Sequence, residues 1–140
     1  MKKFLLIFVV FCIFGCAQKS GKLANSWRGS EIIYKKSHLN LIDQNAEIYE
    51  KSCAKNVAFD CYIAGGAYFI GKFQKRNFNK ALKLNLKGCE LQNALACNNY
   101  AGMNEMGFGT NKNLKIAKEF YKKSCNLGEI LGCLNYKVIK

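Results

Sequence analysis

The stretch Ala81-Leu-Lys-Leu-Asn-Leu-Lys-Gly-Cys89 has two counterparts in this chain, Ala117-Lys-Glu-Phe-Tyr-Lys-Lys-Ser-Cys125 and the shorter Glu47-Ile-Tyr-Glu-Lys-Ser-Cys53. Each copy ends at the first cysteine of a pair whose members lie eight residues apart: Cys53 and Cys61, Cys89 and Cys97, Cys125 and Cys133. Successive pairs begin 36 residues apart. A strict period in this range is typical of stacked-repeat proteins, in which each unit buries its apolar face against the next.

The cysteine spacing indicates that the chain reverses inside each unit. In one continuous helix, residues eight positions apart are about 12 Å apart along the axis, whereas the Cα atoms of a disulfide lie within about 7 Å. Polar residues or glycine near the middle of each intervening segment, at 55–56, 92–93 and 128–129, favour a turn there. Each unit is therefore predicted to be a helix, a tight turn and a second helix. These cysteines allow many connectivities, and pairing within each unit is the simplest.

The length and composition of the chain fit a single helical domain. It has 140 residues, of which 50% are hydrophobic, and no proline. We predict repeats at 45–80, 81–116 and 117–140, the last of them truncated, after a linker at 17–44 that includes a capping helix near 31–41. Apolar and small residues at helical spacing predict a buried stripe on the first helices of repeats two and three: Ala81, Leu84, Gly88, Leu91, Ala117, Phe120, Tyr121, Ser124 and Leu127.

The first sixteen residues have the pattern of an export signal. Lys2 and Lys3 precede an apolar run at 4–14 that is too short to span a bilayer. The following Ile13-Phe14-Gly15-Cys16 resembles the lipobox of bacterial lipoproteins, which predicts lipidation of Cys16 and a periplasmic or outer-membrane lipoprotein. Alternatively, Gly15-Cys16-Ala17 is an ordinary cleavage site and the protein is secreted without a lipid. Either route leads to a compartment that permits disulfides.

Composition also bears on cofactors and partners. The chain has no C-x2-C pair and a single histidine, His38, so we predict no metal site and no cofactor. The formal net charge of +13 favours contact with anionic lipid headgroups, cell-wall polymers or acidic proteins. The lysines are spread across the repeats without the interleaved aromatic residues of a nucleic-acid platform, so we expect no nucleic-acid partner.

The segment 117–136 resembles a Sel1-like repeat of the cysteine-paired subtype found in the Helicobacter cysteine-rich proteins. The segment Met106-Gly-Phe-Gly-Thr-Asn-Lys-Asn-Leu-Lys-Ile-Ala117 matches the loop between repeats in that family, with its two glycines. In the first loop, Gly71 is kept, but Phe73 stands where the second glycine belongs. The resemblance covers about residues 45–138. It implies an all-α fold, namely an α/α superhelical solenoid of tetratricopeptide-like or Sel1-like helix-turn-helix repeats, with one disulfide per repeat.

Two functions follow from this resemblance. Sel1-like proteins in general act as adaptors, which implies a protein or peptide partner, or a peptidoglycan fragment, bound on the concave face. The cysteine-rich subgroup also implies penicillin binding with weak β-lactamase activity. The only motif of that kind is Ser52-Cys-Ala-Lys55, which matches S-x-x-K, while the Ser-Asp-Asn and Lys-Thr-Gly motifs are absent. We therefore predict an exported binding scaffold, with a β-lactam hydrolase that uses Ser52 and Lys55 as the alternative.

Overall fold

The computed structural model describes residues 46–71 and 73–140. This part of the chain forms six α-helices: α1 (Ala46–Ala54), α2 (Ala58–Ile70), α3 (Phe78–Glu90), α4 (Ala94–Met106), α5 (Leu114–Asn126) and α6 (Ile130–Val138). The predicted export signal, the lipidation site Cys16, the linker and the capping helix lie outside the described residues. None of the helices in the described part is both long and apolar enough to cross a membrane.

The helices form three antiparallel pairs, and the turn inside each pair repeats with the same geometry. Asn56, Gln92 and Gly128 adopt positive φ angles at equivalent positions, 36 residues apart. One residue later in each turn, the N–H group of residues 57, 93 and 129 donates to the carbonyl of residues 52, 88 and 124, at 2.9–3.3 Å. The sharp reversal therefore occurs at the predicted place in each unit.

A disulfide joins the two helices of each pair beside the turn. The bonds are Cys53–Cys61, Cys89–Cys97 and Cys125–Cys133, and their Cα atoms are 4.4–4.6 Å apart. The all-α solenoid with one disulfide per repeat is thus confirmed. Each bond closes a short loop, which stabilises the fold by roughly 2–3 kcal/mol on the chain-entropy account.

The loops between helix pairs also repeat. Gly71 and Gly107 adopt the left-handed conformation immediately after α2 and α4 and end these helices. The side chains of Asn77 and Asn113 cap the next helices by accepting from the N–H groups at positions 80 and 116. These caps and stops therefore recur with the 36-residue period of the sequence.

Small residues set the spacing between helices. A Cβ atom at Gly88 would lie 2.8 Å from the Cβ of Ala96, and one at Gly65 would lie 2.7 Å from the side chain of Asn85. Most of the predicted stripe is buried, including Ala81, Gly88, Ala117, Tyr121 and Ser124. Leu84, Leu91, Phe120 and Leu127 are only partly buried, and the fully buried Asn85 was not predicted.

The pairs stack in chain order. Helix α3 packs on α2 as well as on its partner α4, and α5 packs on α4 in the same way. The second helices α2, α4 and α6 also contact one another in sequence, more closely than the first helices do. Successive pairs are therefore joined mainly by the second helix of one pair and the first helix of the next.

Candidate functional site

The candidate site is a groove between the first helices α1 and α3, over the end of α2. Its volume is about 850 Å³. We call it the α1–α3 groove and define it by the residues that line it: Ala46, Glu47, Glu50, Lys51, Ala54, Tyr68, Phe73, Gln74 and Lys80. Helices α1 and α3 both pack on α2, so the groove lies where the first helix pair meets the second.

The floor of the groove is a cluster of Glu50, Tyr68 and Lys80, one residue from each of three helices. The ammonium of Lys80 lies 2.7 Å from a Glu50 carboxylate oxygen and donates to the Tyr68 hydroxyl at 2.8 Å. The Tyr68 hydroxyl donates to the same Glu50 oxygen at 2.8 Å. Lys80 also lies 4.2 Å from the centroid of the Tyr68 ring, in cation–π geometry. The cluster fixes α1 against the start of α3.

The ion pair keeps both of its members charged. Burial acts to raise the pKa of Glu50, but the hydrogen bonds from Lys80 and Tyr68 outweigh it and hold that pKa below its ordinary value. Burial acts to lower the pKa of Lys80, and the hydrogen bonds to Glu50 and Tyr68 outweigh it in the opposite direction, so the pKa is raised. Both side chains are about one-third exposed, so a ligand in the groove can contact them.

The rim of the groove is an aromatic residue on a loop that is held in place. The side chain of Phe73 is 62% exposed. Next to it, the side-chain amide of Gln74 donates to the carbonyl of Ala67, and the Arg76 guanidinium donates to the carbonyl of Ile70 at 3.2–3.3 Å. A groove lined by an exposed aromatic residue and by an ion pair is suited to a peptide that carries both apolar and charged groups.

The sequence did not predict this site because its residues depart from the repeat. The equivalents of Glu50, Tyr68 and Lys80 in the next repeat are Leu86, Asn104 and Ile116. The sequence did contain one signal for the site: it has a glutamate and a lysine at positions where the next repeat has leucine and isoleucine. It could be recognised only once the fold showed that these positions, 30 residues apart, are neighbours.

The structure does not assemble Ser52 and Lys55 into a catalytic pair. Ser52 lies in the last turn of α1 and its backbone carbonyl accepts from the N–H of Lys55 at 3.0 Å, while the Lys55 side chain is exposed. No hydrogen bond between the two side chains is present among residues 46–71 and 73–140. In the third repeat, the equivalent Ser124 donates to the carbonyl of Ala94 at 2.8 Å, which is a packing role between repeats. The β-lactamase alternative therefore has no support from this geometry.

Disulfide-stapled helix pairs repeating every 36 residues define a class of helical-repeat proteins that generally bind other proteins. The Sel1 repeat model matches residues 58–93 and 94–129, about half of the chain. The chain belongs to the Sel1 repeat family. Each matched segment begins at the second helix of a pair, whereas the predicted repeats begin before the first helix, at 45, 81 and 117. The two divisions have the same 36-residue period and differ only in where a repeat is taken to start.

A solved structure agrees with the family match. The fold is similar to that of Helicobacter pylori cysteine rich protein B, with a TM-score of 0.61 and 30% sequence identity. The similarity covers 63% of this chain and 66% of the Helicobacter pylori protein, so the match spans just under two thirds of that protein's length. A comparison with curated proteins finds no match.

Proposed function

We propose that this protein is an exported scaffold that binds a protein or peptide partner in the α1–α3 groove. The observation that carries the proposal is that a paired glutamate and lysine line the same groove as the exposed Phe73. Aromatic side chains that are held in place are frequent anchors at interfaces. The disulfide in each repeat supports the proposal as well, because a stapled surface loses less conformational freedom when it binds.

Export is part of the proposal. Three disulfides in a chain of this size are expected in an oxidising compartment and are rare in the cytosol. An envelope location would also bring a strongly basic protein close to acidic surfaces, with a net charge of +11 once Lys2 and Lys3 are removed with the signal (20 basic less 9 acidic residues). Lipidation of Cys16 remains a prediction. It is tested by metabolic labelling with a fatty acid. The label should be incorporated into the original protein and lost in a Cys16→Ser variant, whereas a protein secreted without a lipid would not incorporate the label at all.

The partner and its location are tested together by site-specific photo-crosslinking in cells. A photoreactive residue placed at Phe73 is expected to give a discrete adduct with one envelope protein. The matched control places the same residue at Lys118, which is exposed on α5 and outside the groove. Replacing Glu50 and Lys80 by Gln and Met should weaken the adduct from position 73. Equal adducts from both positions, or none from position 73, would contradict the groove proposal.

A further inference from the structure

Helix α6 has an apolar stripe that no described residue covers. Ile130, Leu134 and Val138 follow one another at intervals of four residues, so they lie along one side of the helix. Their side chains are 73%, 52% and 61% exposed. A run of exposed branched apolar residues on one side of a helix is unusual for a protein surface and indicates an interaction site.

The earlier repeats show what covers this side of the helix. The equivalent of Ile130 in the second repeat is Ala94, whose carbonyl accepts from Ser124 of α5. The equivalent of Leu134 is Asn98, which is buried and accepts from Asn135 of α6 at 3.0 Å. The side of α4 that corresponds to the stripe is therefore covered by the next helices of the stack. The same kind of occupant, an amphipathic helix, fits the stripe on α6.

The stripe differs from its counterparts at its two ends. The residues at the position of Ile130 are Ala58 and Ala94, and those at the position of Val138 are Gly66 and Gly102, whereas the middle position of Leu134 corresponds to Tyr62 and Asn98. The two ends of the stripe therefore offer an incoming helix larger apolar side chains than α2 and α4 do.

A lysine next to the stripe indicates the charge of the partner that would bind there. Lys137 is exposed and stands at the position of Gly65, where a Cβ atom would lie 2.7 Å from the Asn85 side chain of the next helix. Lys137 therefore points to where an incoming helix would lie. The chain has a net charge of +13, so a second copy would be repelled by Lys137 and by the rest of the surface. The charge therefore favours an acidic partner.

We infer that α6 is a docking surface for an acidic amphipathic helix of a partner protein, with Ile130, Leu134 and Val138 as the apolar contact and Lys137 opposite a carboxylate. This surface is separate from the α1–α3 groove, which lies on the first helix pair. The two proposals therefore stand or fall independently.

The test uses the full chain and a peptide probe derived from α5. The probe is a fluorescein-labelled, hydrocarbon-stapled peptide of residues 114–126 in which Cys125 is alanine and each lysine is glutamate. The matched control peptide retains the lysines. The acidic peptide is expected to bind at least tenfold more tightly than the basic one, measured by fluorescence anisotropy. In NMR spectra, the amide shifts should be confined to residues 130–138 and their neighbours.

Two variants locate the contact, and a third is the control. Leu134→Glu should abolish binding, because it places a charge on the stripe, and Lys137→Glu should reverse the preference between the two peptides. Ile48→Glu changes a residue that is 63% exposed on α1 and should leave binding unchanged. Circular dichroism confirms that each variant is folded. Equal binding of both peptides, no binding, or a dimer that Leu134→Glu dissociates in sedimentation would each overturn the inference.

Discussion

The two junctions between successive helix pairs have the same backbone geometry and different side chains. The first junction joins α1 and α2 to α3 and α4, and the second joins α3 and α4 to α5 and α6. In both, the N–H of an asparagine in the loop donates to a carbonyl near the end of the preceding helix, from Asn77 to Tyr68 and from Asn113 to Asn104. Yet the first junction has the Glu50–Lys80 ion pair, while the second has leucine and isoleucine at the equivalent positions.

This difference separates what determines the fold from what is free to vary. Turns, caps and disulfides recur with the period. The side chains between the pairs do not recur with it. A charged cluster replaces apolar residues at the first junction without a change of fold. The side chains at the junctions can consequently vary while the fold is kept.

The largest effect is expected from the disulfide that lies between the two junctions. Cys89 and Cys97 are fully buried, and the double replacement by alanine should lower the free energy of unfolding by about 2–5 kcal/mol. The Cys125–Cys133 bond closes a loop of the same length, so the loop entropy does not distinguish the two bonds. Because Cys125 and Cys133 are partly exposed, removal of their bond should lower the free energy of unfolding by less. Urea unfolding of the two double variants measures the difference. A larger loss for the terminal pair would show that burial does not determine the effect.

A smaller loss is expected when the close contact inside the second helix pair is disturbed. Gly88 faces Ala96, whereas at the equivalent positions of the third pair Ser124 faces Gly132. Gly88→Ser should destabilise the protein by about 1–3 kcal/mol, because the new Cβ atom meets that of Ala96. Adding Ala96→Gly recreates the arrangement of the third pair and should restore most of the stability. Thermal unfolding of both variants tests this, and a double variant as unstable as the single one would show that the two pairs are spaced differently.

A hydrogen bond found only at the second junction gives the next prediction. The Tyr121 hydroxyl donates to Glu105 at 2.7 Å, and burial together with this hydrogen bond raises the pKa of Tyr121. At the first junction, the position of Tyr121 is occupied by Asn85 and that of Glu105 by Phe69. Tyr121→Phe should cost about 1 kcal/mol in chemical unfolding. Tyr136→Phe is the matched control, and an equal loss there would argue that the hydrogen bond contributes nothing specific.

The period of the cysteine pairs was sufficient to predict the fold, because the turn, the helix ends and the buried small residues all repeat with it. Gly71 and Gly107 are instances, since the same residue at the same phase ends two helices. The α1–α3 groove was not predictable in this way, because its residues break the repeat. The buried Asn85 was missed for another reason: asparagine is mostly a surface residue, and the burial of Asn85 accompanies its close approach to Gly65.

The smallest effect concerns the ion pair of the first junction and depends on pH. Because the pKa of Glu50 is lowered on folding, the pair stabilises the protein above the ordinary glutamate pKa of about 4.3, and this contribution is lost as the pH falls through the lowered value. The raised pKa of Lys80 means that the contribution also disappears above about pH 10.4, as the pH rises through the raised value. At neutral pH, a partly exposed pair of this kind contributes about 0.2–1 kcal/mol.

The variant that makes the first junction like the second is Glu50→Leu with Lys80→Ile. We expect it to be as stable as the original protein at pH 7, since apolar side chains of similar size often replace an ion pair without loss. Between pH 7 and pH 3, it should lose less stability than the original protein, whereas Lys80→Ile alone should be less stable than either at pH 7. Unfolding curves across this range provide the measurement. A double variant with unchanged sensitivity to acid would assign that sensitivity to other carboxylates, and one that unfolds at pH 7 would show that the ion pair is required for the first junction to form.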